Sequence, residues 1–506
     1  MLLLHNMVVL WLAETATSYH ILCLQSGLSR SHYNLLSEII NILLNAGHEV
    51  TFATPFPEPN PPTNLHYIDI SSVAHYWSEM DFTKLDFWKI DFVRSSALWR
   101  SSYVLNTTAM QDALVNTQFD AILSEWLFTD LDAGYHAVQN VPWIVLCGTV
   151  IHPEVHRLVD FTRDFIAASP FMMTAFLPPM NFVTRLVNTF TYFRVTWKFA
   201  SRTEKEYNNI FAPIAKARDV SLPSFYDAVS NASLLLINSH PSYAPAISLP
   251  PNSIEVGGYH IPDKVPPPPK DFQELLDASP KGVVYFSLGS IIRVNMLHNR
   301  TIEELIKVFK NMPQTILWKL DASLNNIPKN VHIRSWMPQT SILAHPNVKV
   351  FITHSGLLST IEAVKFGVPL ITVPSFVDQH TNSHNAVKAG YAIEVPFSPN
   401  MAGYISDALQ KMLSNESYSR RAKEVSHLFN NRLVDPKKLI LHYIELTINT
   451  KGAAHLRLSH DLEWYEIWML DQIAFLLLLI YVTFLQLRKL SNHVTNRLAK
   501  IKFKIQ

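Results

Sequence analysis

The sequence predicts an α/β protein: two doubly wound parallel-sheet domains facing a cleft, followed by one C-terminal transmembrane helix. Three observations carry this. The chain has 506 residues, more than one growing core usually holds, so two domains are expected. Both halves alternate short β-branched runs with helical runs of amphipathic spacing, the pattern of a parallel sheet wrapped by helices. Near the end, residues 467–487 are largely apolar, and Arg488, Lys489, Arg497, Lys500, Lys502 and Lys504 follow with no acid among them. That combination marks a membrane span whose basic flank lies on the cytosolic side.

Composition excludes several classes. A hydrophobic fraction of 48% with 16% charged residues describes a folded chain, and a formal net charge of +1 gives no reason to expect nucleic acid as a partner. The two cysteines, Cys23 and Cys147, are too few for a disulfide framework. Each sits in an apolar run, which reads as two buried thiols in neighbouring strands, with a single disulfide as the alternative.

The ends of the chain suggest its location. Met1 to Leu12 is a short apolar run followed by small residues, Ala16 and Ser18 among them, so residues 1–18 read as a secretory signal peptide. The competing reading, a first buried strand, is better met by YHILCLQ at 19–25. A cleaved signal and a basic cytosolic tail (488–506) together place the bulk of the chain in a lumen. The closing KFKIQ sets Lys502 and Lys504 as in a dilysine address, which COPI-type machinery reads for retrieval to the endoplasmic reticulum. In a lumenal domain the sequons at Asn106, Asn231 and Asn415 are glycan acceptors.

Taken in order, 19–25 is a strand and 26–30 a turn. Ser31 then caps a helix whose apolar residues recur at helical spacing up to Gly47, and 49–54 is the next strand. His32 falls in the first turn of that helix, at the carboxyl edge of the first strand, where such folds bind ligands. The helix dipole there opposes protonation, which suits a general base. Residues 66–70 form a third strand. The stretch 71–106 is rich in Trp, Phe and Met without a clean period, and lines a hydrophobic pocket or fills a core. A strand at 119–123 ends in Ser124 and Glu125, and the next helix opens near Thr129 and Asp130, so two carboxylates stand where either could orient a histidine.

Residues 143–147 are another strand. The aromatic-rich helical region 161–202 is pocket wall or membrane-facing surface, and 232–239 is the last strand of the first domain. A proline-rich crossing from Pro241 to Pro269 then separates domain 19–245 from domain 246–450. In the second domain GVVYFSLGS ends in Gly289 and Ser290, a turn able to present N–H groups and a hydroxyl to phosphate. Strands at 315–320, 331–336, 348–353 and 369–373 alternate with helices, including 301–311, 341–345 and 359–366. Helices at 401–413, 418–429 and 436–449 precede a juxtamembrane segment, 451–466.

The segment from Trp336 to Gln379 resembles the signature of the UDP-glycosyltransferases, in particular the membrane-bound animal branch. FSLGS, VGGYHI, LINSH and HLRLSHDLEWY resemble the insect members. The resemblance implies a GT-B arrangement of two Rossmann-like domains, the first binding a small lipophilic acceptor and the second a UDP-sugar. No prosthetic group and no metal are implied. By that resemblance Trp336 stacks on uracil, Gln339 bonds the nucleotide, and Glu362 holds the ribose hydroxyls. His354 contacts the pyrophosphate with Gly356, Ser359 and Thr360 at the helix opening beside it, while Ser290 faces the donor phosphates. Asp378 and Gln379 grip the transferred sugar, and His32 is the base for inverting transfer to an acceptor hydroxyl.

UDP-glucose is the favoured donor, since no arginine is obviously placed beside Asp378 for the carboxylate of UDP-glucuronic acid. The implied role is conjugation and detoxification at the endoplasmic reticulum membrane, single-pass, and the resemblance leaves room for a homo-oligomer. Two departures stand out. Glu125 occupies the position where many members carry the orienting aspartate, so Asp130 is the favoured partner of His32 and Glu125 the alternative. Ser355 precedes Gly356 where two glycines are usual. The competing functions are a noncatalytic binder of UDP or hydrophobic ligands and a transferase acting on membrane lipid.

Overall fold

The computed structural model describes residues 18–25, 27–73, 90–160, 169–172, 176–289, 292, 294–322, 324–457 and 463–505. The expected signal segment, up to residue 17, and Ser290 lie outside the described residues.

The first sheet has seven parallel strands: β1 (His20–Leu24), β2 (Glu49–Thr54), β3 (Leu65–Asp69), β4 (Ala121–Glu125), β5 (Trp143–Cys147), β6 (Leu234–Ile237) and β7 (Ser253–Glu255). Their order is β3-β2-β1-β4-β5-β6-β7. Helices cover both faces, so the central strands are continuously apolar rather than alternating; Ile21, Leu22, Cys23 and Leu24 are all buried, as is every residue of β5. The first helix, α1 (Arg30–Asn45), buries Leu35, Leu36, Ile39, Ile40 and Leu43 against one face. Its cap position is held by Ser29 rather than Ser31, and the two hydroxyls lie 2.7 Å apart.

The two thiols are not in neighbouring strands. β4 lies between β1 and β5, and Cys23 packs in the core cluster on the α1 side while Cys147 belongs to the cluster on the other face. Both are free and buried, and a disulfide between them is excluded.

Part of the aperiodic stretch 71–106 forms α2 (Ile90–Leu105), which buries Arg94 and Arg100 along with Ala97 and Leu105. Charged residues on the buried face erase the apolar period that would reveal such a helix. The aromatic region continues as α3 (Phe182–Ala217), 36 residues long and extending well beyond residue 202.

The second sheet has six parallel strands: β8 (Val283–Ser287), β9 (Thr315–Lys319), β10 (Val331–Arg334), β11 (Val348–Thr353), β12 (Leu370–Thr372) and β13 (Ala392–Glu394), in the order β10-β9-β8-β11-β12-β13. Helix α4 (Leu357–Phe366) starts two residues before Ser359, with Gly356 as its cap, and ends on Gly367 in the left-handed region (φ 68°). Helix α5 (Gln379–Lys388) and the three-residue edge strand β13 leave little sequence signal, since QHTNSHNAVK offers almost no apolar stripe.

The domain boundary at 245/246 needs correction in two places. β7 pairs in parallel with β6 and completes the first sheet, although it lies beyond residue 246. Helix α6 (Pro436–Asn449) returns to the first half, where Ile440, Ile444 and Ile448 share the core cluster of α1 and β6. Their spacing of four lays one stripe onto that face. Lys437 pairs with Glu38 at 2.8 Å and Glu445 with His48 at 3.2 Å.

Residues 458–506 form a separate unit. Its helix α7 (Leu470–Ile505) contains Leu470–Leu498, long and apolar enough to cross a membrane, and it runs on through the basic tail that holds Lys502 and Lys504. The sequon asparagines Asn106, Asn231 and Asn415 are exposed, as is Asn299 of a fourth sequon, Asn-Arg-Thr at 299–301.

Candidate active site

In the first sheet the strand order reverses between β1 and β4, and a doubly wound sheet opens its ligand crevice at such a point. His32 stands there at the start of α1, and Glu125 ends β4. Nδ1 of His32 lies 2.5 Å from Oε1 of Glu125. Two glycines make the fit: a Cβ at Gly27 would lie 2.2 Å from Cγ of His32, and one at Gly148 would lie 2.8 Å from Oε1 of Glu125. Burial pushes the His32 imidazole down, but the charge and hydrogen bond of Glu125 outweigh it, and its pKa is raised above 6.5. The helix-dipole expectation for His32 is therefore overridden by a carboxylate in direct contact.

Asp130 does not orient His32. It accepts a hydrogen bond from Trp126 Nε1 at 2.9 Å and pairs with the Arg157 guanidinium. Burial raises its carboxyl, but Arg157 and Arg94 more than offset this and hold it below its usual range. Next to it Arg94 pairs with Glu154 at 2.7 Å, and His152 stands 3.2 Å from the same carboxylate. The buried charges thus occur in pairs, the condition on which an interior tolerates them. None of Arg94, Arg100, His152, Glu154 or Arg157 is singled out by sequence motif. For His152 and Glu154 a signal was present, because both follow the carboxyl end of β5 just as His32 follows β1.

In the second sheet the order reverses between β8 and β11. His354 follows β11, and its ring is wedged between two glycines: added Cβ atoms at Gly289 and Gly356 would lie 2.6 Å and 2.5 Å from it. Burial, with Lys319 adding to it, lowers its pKa to about 4, so the ring is neutral. Its Nδ1 and the Ser355 hydroxyl are buried without a hydrogen-bond partner, as befits polar groups that await a ligand atom. Ser355 has φ 65°, the left-handed conformation that explains why glycine is usual at this position. Thr360 donates to the Gly356 carbonyl at 3.1 Å. Lys319, at the end of β9, is a cation of this edge that the motif reading passed over.

Gln339 links the nucleotide-side residues, donating from Nε2 to Glu362 Oε2 at 2.8 Å and to Ser359 Oγ at 3.0 Å. Burial raises the Glu362 carboxyl to about 7, against the opposing hydrogen bonds and Lys319. Trp336 presents an indole that is 65% exposed on the loop after β10, open to a stacking partner. Asp378 caps α5 and accepts from Asn382 Nδ2 at 2.8 Å, and Gln379 spends its carbonyl oxygen on the N–H groups of Ser375 and Phe376. Burial raises the Asp378 carboxyl while His32 and His152 lower it, so this residue of the second half lies within electrostatic reach of the base-like histidine of the first. Val377, one residue earlier, has φ 53° and packs against core clusters of both halves. A β-branched residue tolerates that conformation only when its surroundings over-determine it. Among the described residues no group of three or more His, Cys, Asp or Glu could hold a metal ion.

Two parallel sheets with their switch points bearing His32 and His354 define the GT-B class of glycosyltransferases, and solved structures agree. A spinosyn forosaminyltransferase, SpnP, superposes with a TM-score of 0.58 at 14% identity, covering 86% of this chain and 100% of its own. LpCGTa, solved in complex with UDP, gives 0.56 at 16% identity with the same coverage. The family model described as UDP-glucoronosyl and UDP-glucosyl transferase matches residues 23–505. The chain belongs to that family and is a UDP-glycosyltransferase. UDP-glucosyltransferase 2 of Dactylopius coccus is 32% identical over 476 residues, 92% of this chain and 91% of that one. UDP-glucuronosyltransferase 2B15 of Rattus norvegicus is 27% identical over 482 residues, 90% and 89% of the two chains.

Proposed function

We propose that this UDP-glycosyltransferase transfers glucose from UDP-glucose, with inversion, to the hydroxyl of a small lipophilic acceptor. The observation that carries the reading is the His32–Glu125 pair with Asp378 in electrostatic reach. His32 Nε2 takes the acceptor proton as the acceptor oxygen bonds to the anomeric carbon. The bond from that carbon to the UDP oxygen breaks, and UDP carries away the electron pair. Glu125 fixes the tautomer and stabilises the imidazolium that forms.

The second half holds the donor in this reading. Trp336 stacks on uracil, and Gln339 and Glu362 meet the nucleotide and its ribose. His354, Ser355, the free N–H groups opening α4 and the turn at Gly289–Ser290 receive the diphosphate. Asp378 takes sugar hydroxyls, and Gln379, its carbonyl engaged by backbone, contributes its amide N–H. The resemblance to an insect glucosyltransferase favours glucose over glucuronic acid. Signal segment, sequons, candidate span and basic tail support a single-pass protein of the endoplasmic reticulum with lumenal catalytic halves, acting in conjugation of lipophilic compounds.

Membranes containing the protein, offered UDP-glucose and UDP-glucuronic acid with mixed phenols, steroids and membrane lipids, test the reading by mass spectrometry of products. A glucoside that disappears in His32→Ala while UDP binding persists is the expected result. UDP binding without transfer to any acceptor overturns catalysis, and a glycosylated lipid overturns the acceptor class.

A further inference from the structure

Helix α3 has two apolar faces. At roughly 100° per residue, Asn188, Tyr192, Val195 and Phe199 share one side, which is buried with Phe171 and Ile90. The opposite side carries Phe182, Val183, Leu186, Val187, Phe190, Phe193 and Trp197, with exposures from 44% at Val187 to 80% at Trp197. This outer stripe spans an arc of about 140° and a length of roughly 22 Å, and Leu177 just before the helix extends it. Exposed apolar residues scattered singly need no explanation, but a contiguous aromatic stripe of this size marks an interaction surface.

The charges around the stripe identify its partner. Between residues 182 and 202 the helix has four cations, Arg185, Arg194, Lys198 and Arg202, and no acid. Lys198 answers Asp91 of α2 at 2.7 Å, while Arg194 rises inside the apolar arc itself. Long basic side chains can lie along apolar surface and reach outward with their charge. Two copies packed through this face would bring arginines against arginines with no acid of the stripe to answer them, which opposes a self-complementary dimer. Phosphate oxygens above an acyl layer answer both features at once. A helix of this kind, basic and aromatic, lies in the plane of a bilayer interface rather than across it. The stripe ends where the chain turns polar, at Ser201, Glu204 and Lys205.

We propose that the outer face of α3 seats in the headgroup–acyl boundary of a phospholipid bilayer, a second membrane contact besides the candidate span in α7. The contact is independent of how the catalytic residues are assigned. It also singles out the membrane-facing alternative for the aromatic region of the sequence.

The full-length chain in phosphatidylcholine nanodiscs, one copy per disc, allows a direct test. An environment-sensitive fluorophore is attached at Phe190→Cys, Trp197→Cys or, as a control two turns and more beyond the stripe, Asn208→Cys; Cys23 and Cys147 are buried and stay unlabelled. The expected result is blue-shifted emission at 190 and 197, quenched several-fold by nitroxide-bearing lipids, with the 208 label in water. Unquenched, water-like emission at 190 and 197 overturns the proposal. So does shielding that arises only when two copies share a disc, which would assign the face to a second copy of this chain.

Discussion

Oε1 of Glu125 lies 2.5 Å from Nδ1 of His32, joining residues 93 positions apart at the switch point of the first sheet. The contact raises the imidazole pKa against the pull of burial. The proposed role of His32 as base requires the neutral ring, so on that reading activity is lost as pH falls through the raised pKa. In Glu125→Gln the raising contribution goes and burial remains, so the acid limb of kcat/KM moves to lower pH while kcat drops by roughly 10²–10⁴-fold. A pH–rate profile of the two proteins checks both the direction and the loss.

Asp130→Asn separates the two carboxylates. It leaves Arg157 buried without its charge partner, a change that typically costs about 3–5 kcal/mol of stability. Below the variant's lowered melting temperature, kcat should stay within a few-fold of the parent. A collapse of kcat in folded Asp130→Asn would return this residue to the dyad.

Gly148 is the space that Glu125 occupies. A Cβ there meets Glu125 Oε1 at 2.8 Å and Leu35 Cδ1 at 3.1 Å, so Gly148→Ala should displace the carboxylate and lower kcat by at least about tenfold. UDP binding, which the proposed function assigns to the other half, should be unchanged by calorimetry. Equal losses in both would point to general damage instead.

Much of the scaffold was legible because buried parallel strands such as WIVLC and helices such as α1 announce themselves by composition and period. The site was legible where residues cluster in one ordered stretch, as from Trp336 to Gln379. What escaped has a common cause. Helix α2 buries Arg94 and Arg100, and α5 buries Gln379, Asn382 and Ser383, so their inward faces carry polarity that a hydrophobic pattern cannot register. The choice between Glu125 and Asp130 escaped for a different reason: it depends on where Arg157 and Trp126 come to rest, a tertiary fact. Side-chain length argued for Asp130, whereas the missing Cβ of Gly148 leaves room for the longer Glu125 to reach Nδ1 of His32.

Ser355 is strained by its own backbone. Left-handed backbone costs an L-residue about 1–2 kcal/mol relative to glycine, and here the hydroxyl is also buried without a partner. Ser355→Gly should raise the unfolding free energy by about 1 kcal/mol, read from denaturant midpoints. A lower midpoint would mean that the hydroxyl has a partner that outweighs the strain.

Glu362 gives donor binding its own pH dependence. Its carboxyl is raised by burial to about 7, so it is ionised above that value and becomes protonated as pH falls through it. If the ionised form grips the ribose, the UDP Kd should rise below pH 7, by at most about tenfold per unit. Glu362→Gln should bind more weakly and lose this component, so the difference between the two curves removes the titration of UDP itself. Parallel curves would exclude Glu362 as the ribose ligand.

The return of α6 to the first half means that this half is not a contiguous piece of chain, because the whole second sheet lies between β7 and α6. A chimaera that imports only residues 19–245 from a relative would inherit a sheet without its last strand and an α1 without the Ile440, Ile444 and Ile448 that cover it. Exchange of the first half between family members therefore has to carry two fragments, one running through β7 and one holding α6, the latter located after the whole second sheet.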